Sequence, residues 1–256
     1  VEKMNKGLKF VGGDTDGLKF CKPDMSPISD EELKELTDEI NALLPEMLVL
    51  EPDGYFEEIT ILKTKNYITK EDGKVKLKGS SITDQKKELA MLEMVREIAN
   101  SVLGKIDYTE LQEIYMKYVK EACNITDPKR WSKKMTLTKA ILNAETDPAA
   151  RANEKKPWDA IKDKNLQEGD KFWVYPVKGE DIQKKVKGEL QFYKDGRPKM
   201  KENIILKTAD DYDSDEHIPK LLKRCYDTIS IFKTILEMDK FLDYSKLKNY
   251  KMLEGK

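Results

Sequence analysis

The stretch Phe10-Val11-Gly12-Gly13-Asp14-Thr15-Asp16-Gly17-Leu18-Lys19-Phe20 constrains the fold more than any other part of the chain. Apolar residues alternate before it (Leu8, Phe10) and after it (Leu18, Phe20), the pattern of strands with one buried face. Glycines on both sides of the acidic tip supply the dihedrals that a tight hairpin turn needs. Residues i and i+2 of a strand share a face, so Asp14 and Asp16 are expected to converge on one spot. Two hard oxygen donors there suit a divalent cation such as magnesium. A solvated Asp/Gly turn has the same composition, so the rest of the chain has to decide between the two.

After the hairpin the sequence predicts a helix. Ser29 and Glu32 make a capping box, and Leu33, Leu36, Ile40, Leu43 and Leu44 form a helical stripe that ends near Pro45. Tyr55 to Leu62, Asn66 to Thr69 and Lys74 to Leu77 alternate as strands, with Glu71-Asp72-Gly73 as a turn. Hairpin, helix and further strands imply an α+β arrangement, an antiparallel sheet with a helix on one face. From Thr83 the pattern turns helical. One stripe runs from Leu89 to Val102 and stops at Gly104, a second follows the pair Asp107 and Glu110, and a short helix starts at Asp147-Pro148. A strand is expected at 171–177, a hairpin over 187–206 turning at Asp195-Gly196, and a last helix over 218–241. The change of pattern puts a boundary near residue 82, giving segments 1–82 and 83–256.

The 256 residues carry a net charge of −1, and the arrangement of the charges says more than their sum. Asp24 to Glu58 is acidic throughout but for Lys34. Lys63 to Lys78 is lysine-rich, and Lys129 to Lys139 is basic with no acid in it. Such segregation fits a protein that grips a polyanion with part of its surface. Cys21, Cys123 and Cys225 are far apart and His217 is the sole histidine, which excludes a zinc site; reduced structural thiols in a cytoplasmic protein are expected. No apolar run is long enough to span a membrane. Trp131, Trp158 and Trp173 read as core, and His217 as a surface residue.

Gly13-Asp14-Thr15-Asp16 between apolar strands, then Lys63-Thr64-Lys65-Asn66-Tyr67, then Lys76-Leu77-Lys78-Gly79 resemble, in type, order and spacing, the C-terminal part of family B DNA polymerases. In that family the palm carries a Y-G-D-T-D-S turn, then a K-x-Y element, then a lysine-glycine step leading into a helical thumb. The stretches Pro157 to Ile161, Glu168 to Phe172 and Val174 to Pro176, with the helix after His217, look most like the thumb of polymerases from T-even-like tailed bacteriophages. Gly12 and Gly17 stand where the family usually has Tyr and Ser.

The resemblance implies an antiparallel palm sheet with a packed helix, followed by a mainly helical thumb with a small β insertion. It also implies two-metal nucleotidyl transfer with magnesium, the pair of cations lying about 3.5–4 Å apart. Asp16 would reach the metals, and Asp14 would orient water and tune charge beside it. Lys65 and Tyr67 would touch the primer strand, and Lys76, Lys78 and Gly79 would continue that track. Lys129, Arg130, Lys133, Lys134, Thr138 and Lys139 would grip the duplex, since ammonium groups and hydroxyls suit phosphate oxygens. The expected partners are primer-template DNA, a dNTP, and an upstream polypeptide with the exonuclease, the remaining palm and the fingers. A sliding clamp stays open, and the setting would be the cytoplasm, that of the host if the source is viral. The competing class is a duplex-binding module with vestigial carboxylates. An EF-hand is excluded, because the later ligands and flanking helices are missing.

Overall fold

The computed structural model describes residues 7–14, 17–83, 87–104, 106–150, 161–162, 165–176, 185–186, 189–190, 202–205, 212–247, 250 and 253. The chain divides into two compact units, Val1–Glu57 and Glu58–Lys256.

In the first unit, β1 (Lys9–Asp14) and β2 (Gly17–Cys21) form an antiparallel hairpin. A bulge at Val11 separates the pair Phe10–Phe20 from Gly12–Lys19, and Asp14 lies opposite Gly17. Helix α1 (Asp30–Asn41) begins at the expected capping box: the Glu32 N–H donates to Ser29 Oγ (3.2 Å) and the Ser29 N–H to Glu32 Oε2 (2.8 Å). Asp30, Glu31 and Glu32 in the first turn suit the positive end of the helix dipole.

The helix stops before Pro45 because Asn41 turns its side chain to Leu50, donating to the carbonyl (2.9 Å) and accepting from the N–H (2.7 Å). Of the expected stripe, Leu36 alone is buried, and Leu43 is 73% exposed. The loop that Asn41 closes also presents Met47, Leu48 and Val49 to solvent.

The second unit starts with a three-stranded antiparallel sheet, β3 (Glu58–Lys63), β4 (Asn66–Glu71) and β5 (Lys74–Lys78), with β4 in the centre. Asp72 (φ 51°) and Gly73 (φ 69°) both take the left-handed region at the β4–β5 turn, as a type I′ hairpin requires. Among the described residues this sheet and the β1–β2 hairpin are separate, not the one sheet that the sequence suggested. The one-turn helix α2 (Ser80–Thr83) follows, then α3 (Leu89–Val102) and α4 (Tyr108–Cys123). Gly104 (φ 95°) ends the α3 segment, and Asp107 caps α4 through the Thr109 N–H (2.8 Å). Glu110 does not complete a capping box; its carboxylate accepts from Ser101 Oγ (2.7 Å).

A second antiparallel sheet has the order β10–β7–β6, from Glu202–Ile205, Lys171–Pro176 and Lys133–Thr136. The one-turn helix α5 (Lys139–Leu142) lies between β6 and β7 in sequence. Strands β8 (Lys185–Val186) and β9 (Glu189–Leu190) pair with each other, whereas the expected turn at Asp195-Gly196 lies outside the described residues. The chain at Asp147-Pro148 makes a turn, with the Ala149 N–H donating to Asp147 Oδ1 (2.8 Å), and residues 151–160, with Trp158, are not described.

Helix α6 (Ser214–Ile229) starts four residues earlier than expected, since Asp213 accepts from the Glu216 N–H (3.1 Å) and Pro219 is held inside the helix. It ends at Ile229 and continues as 3-10 turns at Ser230–Phe232, Met238–Lys240 and Tyr244–Lys246.

A large core joins the first sheet of this unit to its helices. Leu62, Ile68 and Ile82 share it with Met94, Val95, Ile98 and Ala99 of α3, Leu111, Tyr115 and Tyr118 of α4, and Leu221, Leu222 and Cys225 of α6. Trp131 joins it at 1% exposure. A smaller cluster of Leu137, Ile141, Ile161 and Phe172 underlies the second sheet. The architecture is α+β. No helix among the described residues is long and apolar enough to cross a membrane.

Candidate nucleic-acid interface

The acidic tip lies in the first unit. Strand β1 ends at Asp14, which pairs with Gly17 of β2. The position of Asp16 and the side chain of Asp14 lie outside the described residues, so the expected convergence of the two carboxylates does too. A methyl on Gly13 would meet Leu18 and Phe10 at 3.3 Å, so the hairpin packs closely just before the tip.

In the second unit two of the lysine motifs meet. Lys65 (φ 60°) sits in the two-residue connection between β3 and β4. Asn66 is buried, donates from Nδ2 to the Thr64 carbonyl (2.9 Å), and accepts on Oδ1 from the Ser81 N–H (3.0 Å). Gly79 (φ 110°) lies so close that a Cβ there would fall 2.5 Å from Asn66 Oδ1 and nearer still to the Lys65 carbonyl oxygen. Asn66 is therefore the hinge-pin of the Lys65-Asn66-Tyr67 turn, a role the sequence reading missed; a polar residue between two strand ends was the available signal.

Register sets Tyr67 opposite Lys78, which brings Lys63, Lys65, Tyr67 and Lys78 to the α2 end of the sheet. Lys76 is elsewhere and pairs with Glu71, whose carboxyl is held below its usual range by Lys76 and then by Thr69. Lys70 pairs with Glu58 (3.1 Å).

The basic block opens onto a groove of about 1680 Å3 between the start of α3, strands β6 and β7, and α6. Lys129, Lys133, Lys134, Thr138, Lys171 and Trp173 are among its lining residues. Lys134 lies opposite Trp173, and Thr136 opposite Lys171, on one face of the sheet. Lys133 shares the other face with Met135, opposite Val174, so the two lysines flank the edge of β6. Trp173 is half-buried and not core, with the Lys129 ammonium 5.3 Å and the Lys134 ammonium 5.9 Å from its ring centroid. Lys171 and Trp173 went unnoticed as groove residues, although their i, i+2 spacing in a strand would have put them on one face.

Arg130 is differently placed. Its guanidinium binds Glu121 through Nε (2.5 Å) and also contacts Glu93, both of which raise its pKa, and its carbonyl accepts from the Ala90 N–H (3.1 Å). Glu121 accepts from Trp131 Nε1 as well (3.1 Å). This set docks the loop before β6 onto α3 and α4. Glu88, 2% exposed, ion-pairs with Arg224 at the groove floor. Thr138 caps α5 and is exposed; Lys139 is exposed.

His217 is buried, contrary to its expected place at the surface. The early start of α6 turns it inward, where Nδ1 lies 2.9 Å from the Tyr212 hydroxyl. Tyr212 in turn meets Tyr175 edge-on at 5.7 Å.

No protein-family model matches the sequence, and no curated protein matches it. Among solved structures, the family B DNA polymerase from the hyperthermophilic archaeon Pyrobaculum calidifontis superposes with a TM-score of 0.51 and 18% identity, over 92% of this chain. The fold is family B polymerase-like. This chain spans 28% of that polymerase's length, and at this identity the likeness is one of fold.

Proposed function

We propose that this chain is the C-terminal palm-and-thumb portion of a DNA-directed DNA polymerase, either a subunit of a split enzyme or a segment of a longer chain. The observation that carries the proposal is the polymerase-like fold over 92% of the chain. The basic groove and the paired lysine motifs support it independently. The T-even-like affinity rests on sequence resemblance from Pro157 to Pro176 and in the helix after His217.

Asp14 and Asp16 would hold part of a magnesium pair, with Asp16 the direct ligand. Their hard oxygen donors fit the ion. Bound there, magnesium would acidify the primer 3′-hydroxyl and offset charge on the triphosphate. Lys65 and Tyr67 would orient the primer end, while Lys129, Lys133 and Lys134 neutralise duplex phosphates without reading sequence. Arg130, already committed to two carboxylates, would shape the loop that carries these lysines. Gly12 and Gly17 in place of Tyr and Ser bear on how tightly the site is held and not on its metal ligands; the second reading is a duplex-binding module with vestigial carboxylates.

The test is primer extension by the chain with an upstream exonuclease–fingers polypeptide, beside duplex binding measured against salt. Asp16→Ala should abolish extension and leave binding intact; extension at the wild-type rate defeats the metal assignment. Lys133→Ala with Lys134→Ala should flatten the log–log salt slope by up to roughly two units, about 0.9 per phosphate. An unchanged slope means the groove is a solvated face. Binding without magnesium-dependent extension in any combination selects the second reading.

A further inference from the structure

We infer that Trp173 is the positioning residue of a paired-lysine phosphate subsite, its indole holding the Lys129 and Lys134 ammonium groups together against one stretch of phosphodiester backbone. The inference rests on the duplex-binding reading above and deepens it. Lys129 comes from the loop after α4 and Lys134 from β6, yet both ammonium groups lie over the same ring, at 5.3 and 5.9 Å. Those distances are within the roughly 6 Å over which a cation is attracted to the face of an indole. Without the ring, two flexible like-charged side chains would spread apart, and the anion would have to order both on binding. With it, both charges stay within roughly 6 Å of one ring centroid in the lining of the groove.

The ring is itself well fixed. Trp173 lies on the central strand of its sheet, opposite Lys134 on β6 and Ile205 on β10, and the adjoining Phe172 is fully buried. The acids of the groove do not occupy these lysine head groups. Glu88 pairs with Arg224, Asp227 acts on that same guanidinium, and Asp127 accepts the Lys129 backbone N–H at 3.0 Å. A phosphate backbone is the ligand class that needs two adjacent cations and no base-specific donor pattern.

The experiment measures duplex binding by the 256-residue chain against salt, for Trp173→Leu, Trp173→Phe, the Lys129→Ala/Lys134→Ala pair, that pair combined with Trp173→Leu, and Lys133→Ala with and without Trp173→Leu. Unfolding midpoints establish that each variant is folded. Trp173→Leu should weaken binding by up to about five- to thirtyfold, the equivalent of two exposed cation–π contacts, and Trp173→Phe by less. In the double-lysine background, Trp173→Leu should change nothing further, whereas with Lys133→Ala its effect should be retained in full. A wild-type affinity for Trp173→Leu, beside weakened lysine variants, overturns this inference alone. So does a full Trp173 effect in the double-lysine background, which marks the ring as merely structural. Absence of duplex binding by the wild-type chain removes the broader reading and this one with it.

Discussion

Gly79→Ala is the sharpest test of how the lysine motifs are held together. The φ of 110° is one that residues with a side chain rarely adopt, and holding alanine there costs on the order of 1–3 kcal/mol. The new methyl would also sit 2.5 Å from Asn66 Oδ1 and press on the Lys65 carbonyl. Both neighbours are constrained, because Asn66 is buried between the Thr64 carbonyl and the Ser81 N–H. Pushing them apart adds an overpacking cost of roughly 1–3 kcal/mol, and breaking the Ser81 bond inside a buried turn adds about 1 kcal/mol more. The total, about 3–7 kcal/mol, reaches into the rare, severe class of substitutions.

Gly104→Ala is the control. Its φ is similar, 95°, but nothing lies within 4 Å of the added methyl, so it should lose only the dihedral part. Chemical denaturation of both variants separates sterics from backbone strain. A Gly79→Ala variant no less stable than Gly104→Ala would refute the account of the turn.

Three further outcomes are expected. Arg130→Ala should lower stability by about 1–3 kcal/mol, since it strips partners from Glu93 and Glu121, yet leave the salt slope of DNA binding unchanged; a flatter slope would return Arg130 to the phosphate contacts. Lys65→Ala in the assembled enzyme should reduce single-turnover extension far more than binding, because displacing the primer end by about 1 Å can cost on the order of a hundredfold in rate. Of the three thiols, half-buried Cys21 should react with a thiol reagent first, and buried Cys123 and Cys225 only on unfolding, burial having pushed the Cys225 thiol up; fast labelling of Cys225 in the native protein would contradict that core.

Local chemistry was readable in the sequence, and long-range chemistry was not. Ser29 with Glu32, Asp72-Gly73 and Gly104 each act within a few residues and stand where expected. The end of α1 was misplaced because Asn41 answers to Leu50, nine residues on. The last helix looked too long for a related reason. Ile229, Phe232 and Leu236 keep helical spacing and are all buried, although 3-10 turns and not a continuous helix carry them inward after Ile229. The basic block was visible as composition, but its division of labour was not: only packing turns Arg130 toward Glu93 and Glu121 while Lys129 and Lys134 reach Trp173. Trp131 and Trp173 are alike on paper, yet one is core and the other half-exposed.

The core shared by β3–β5 and helices α3, α4 and α6 bears on how this protein can be dissected and how it can move. Leu62, Ile68 and Ile82 interlock with the helices that follow, so scission at 82/83 would bare apolar surface on both fragments, whereas scission at 57/58 follows the division between the two units. Sheet and helices of the second unit should then gain and lose amide-exchange protection as one foldon. The lysine turn at Asn66 is thus seated on the main core of the unit, while the strand of Trp173 lies over the smaller cluster of Leu137, Ile141, Ile161 and Phe172, so the two basic surfaces have separate footings.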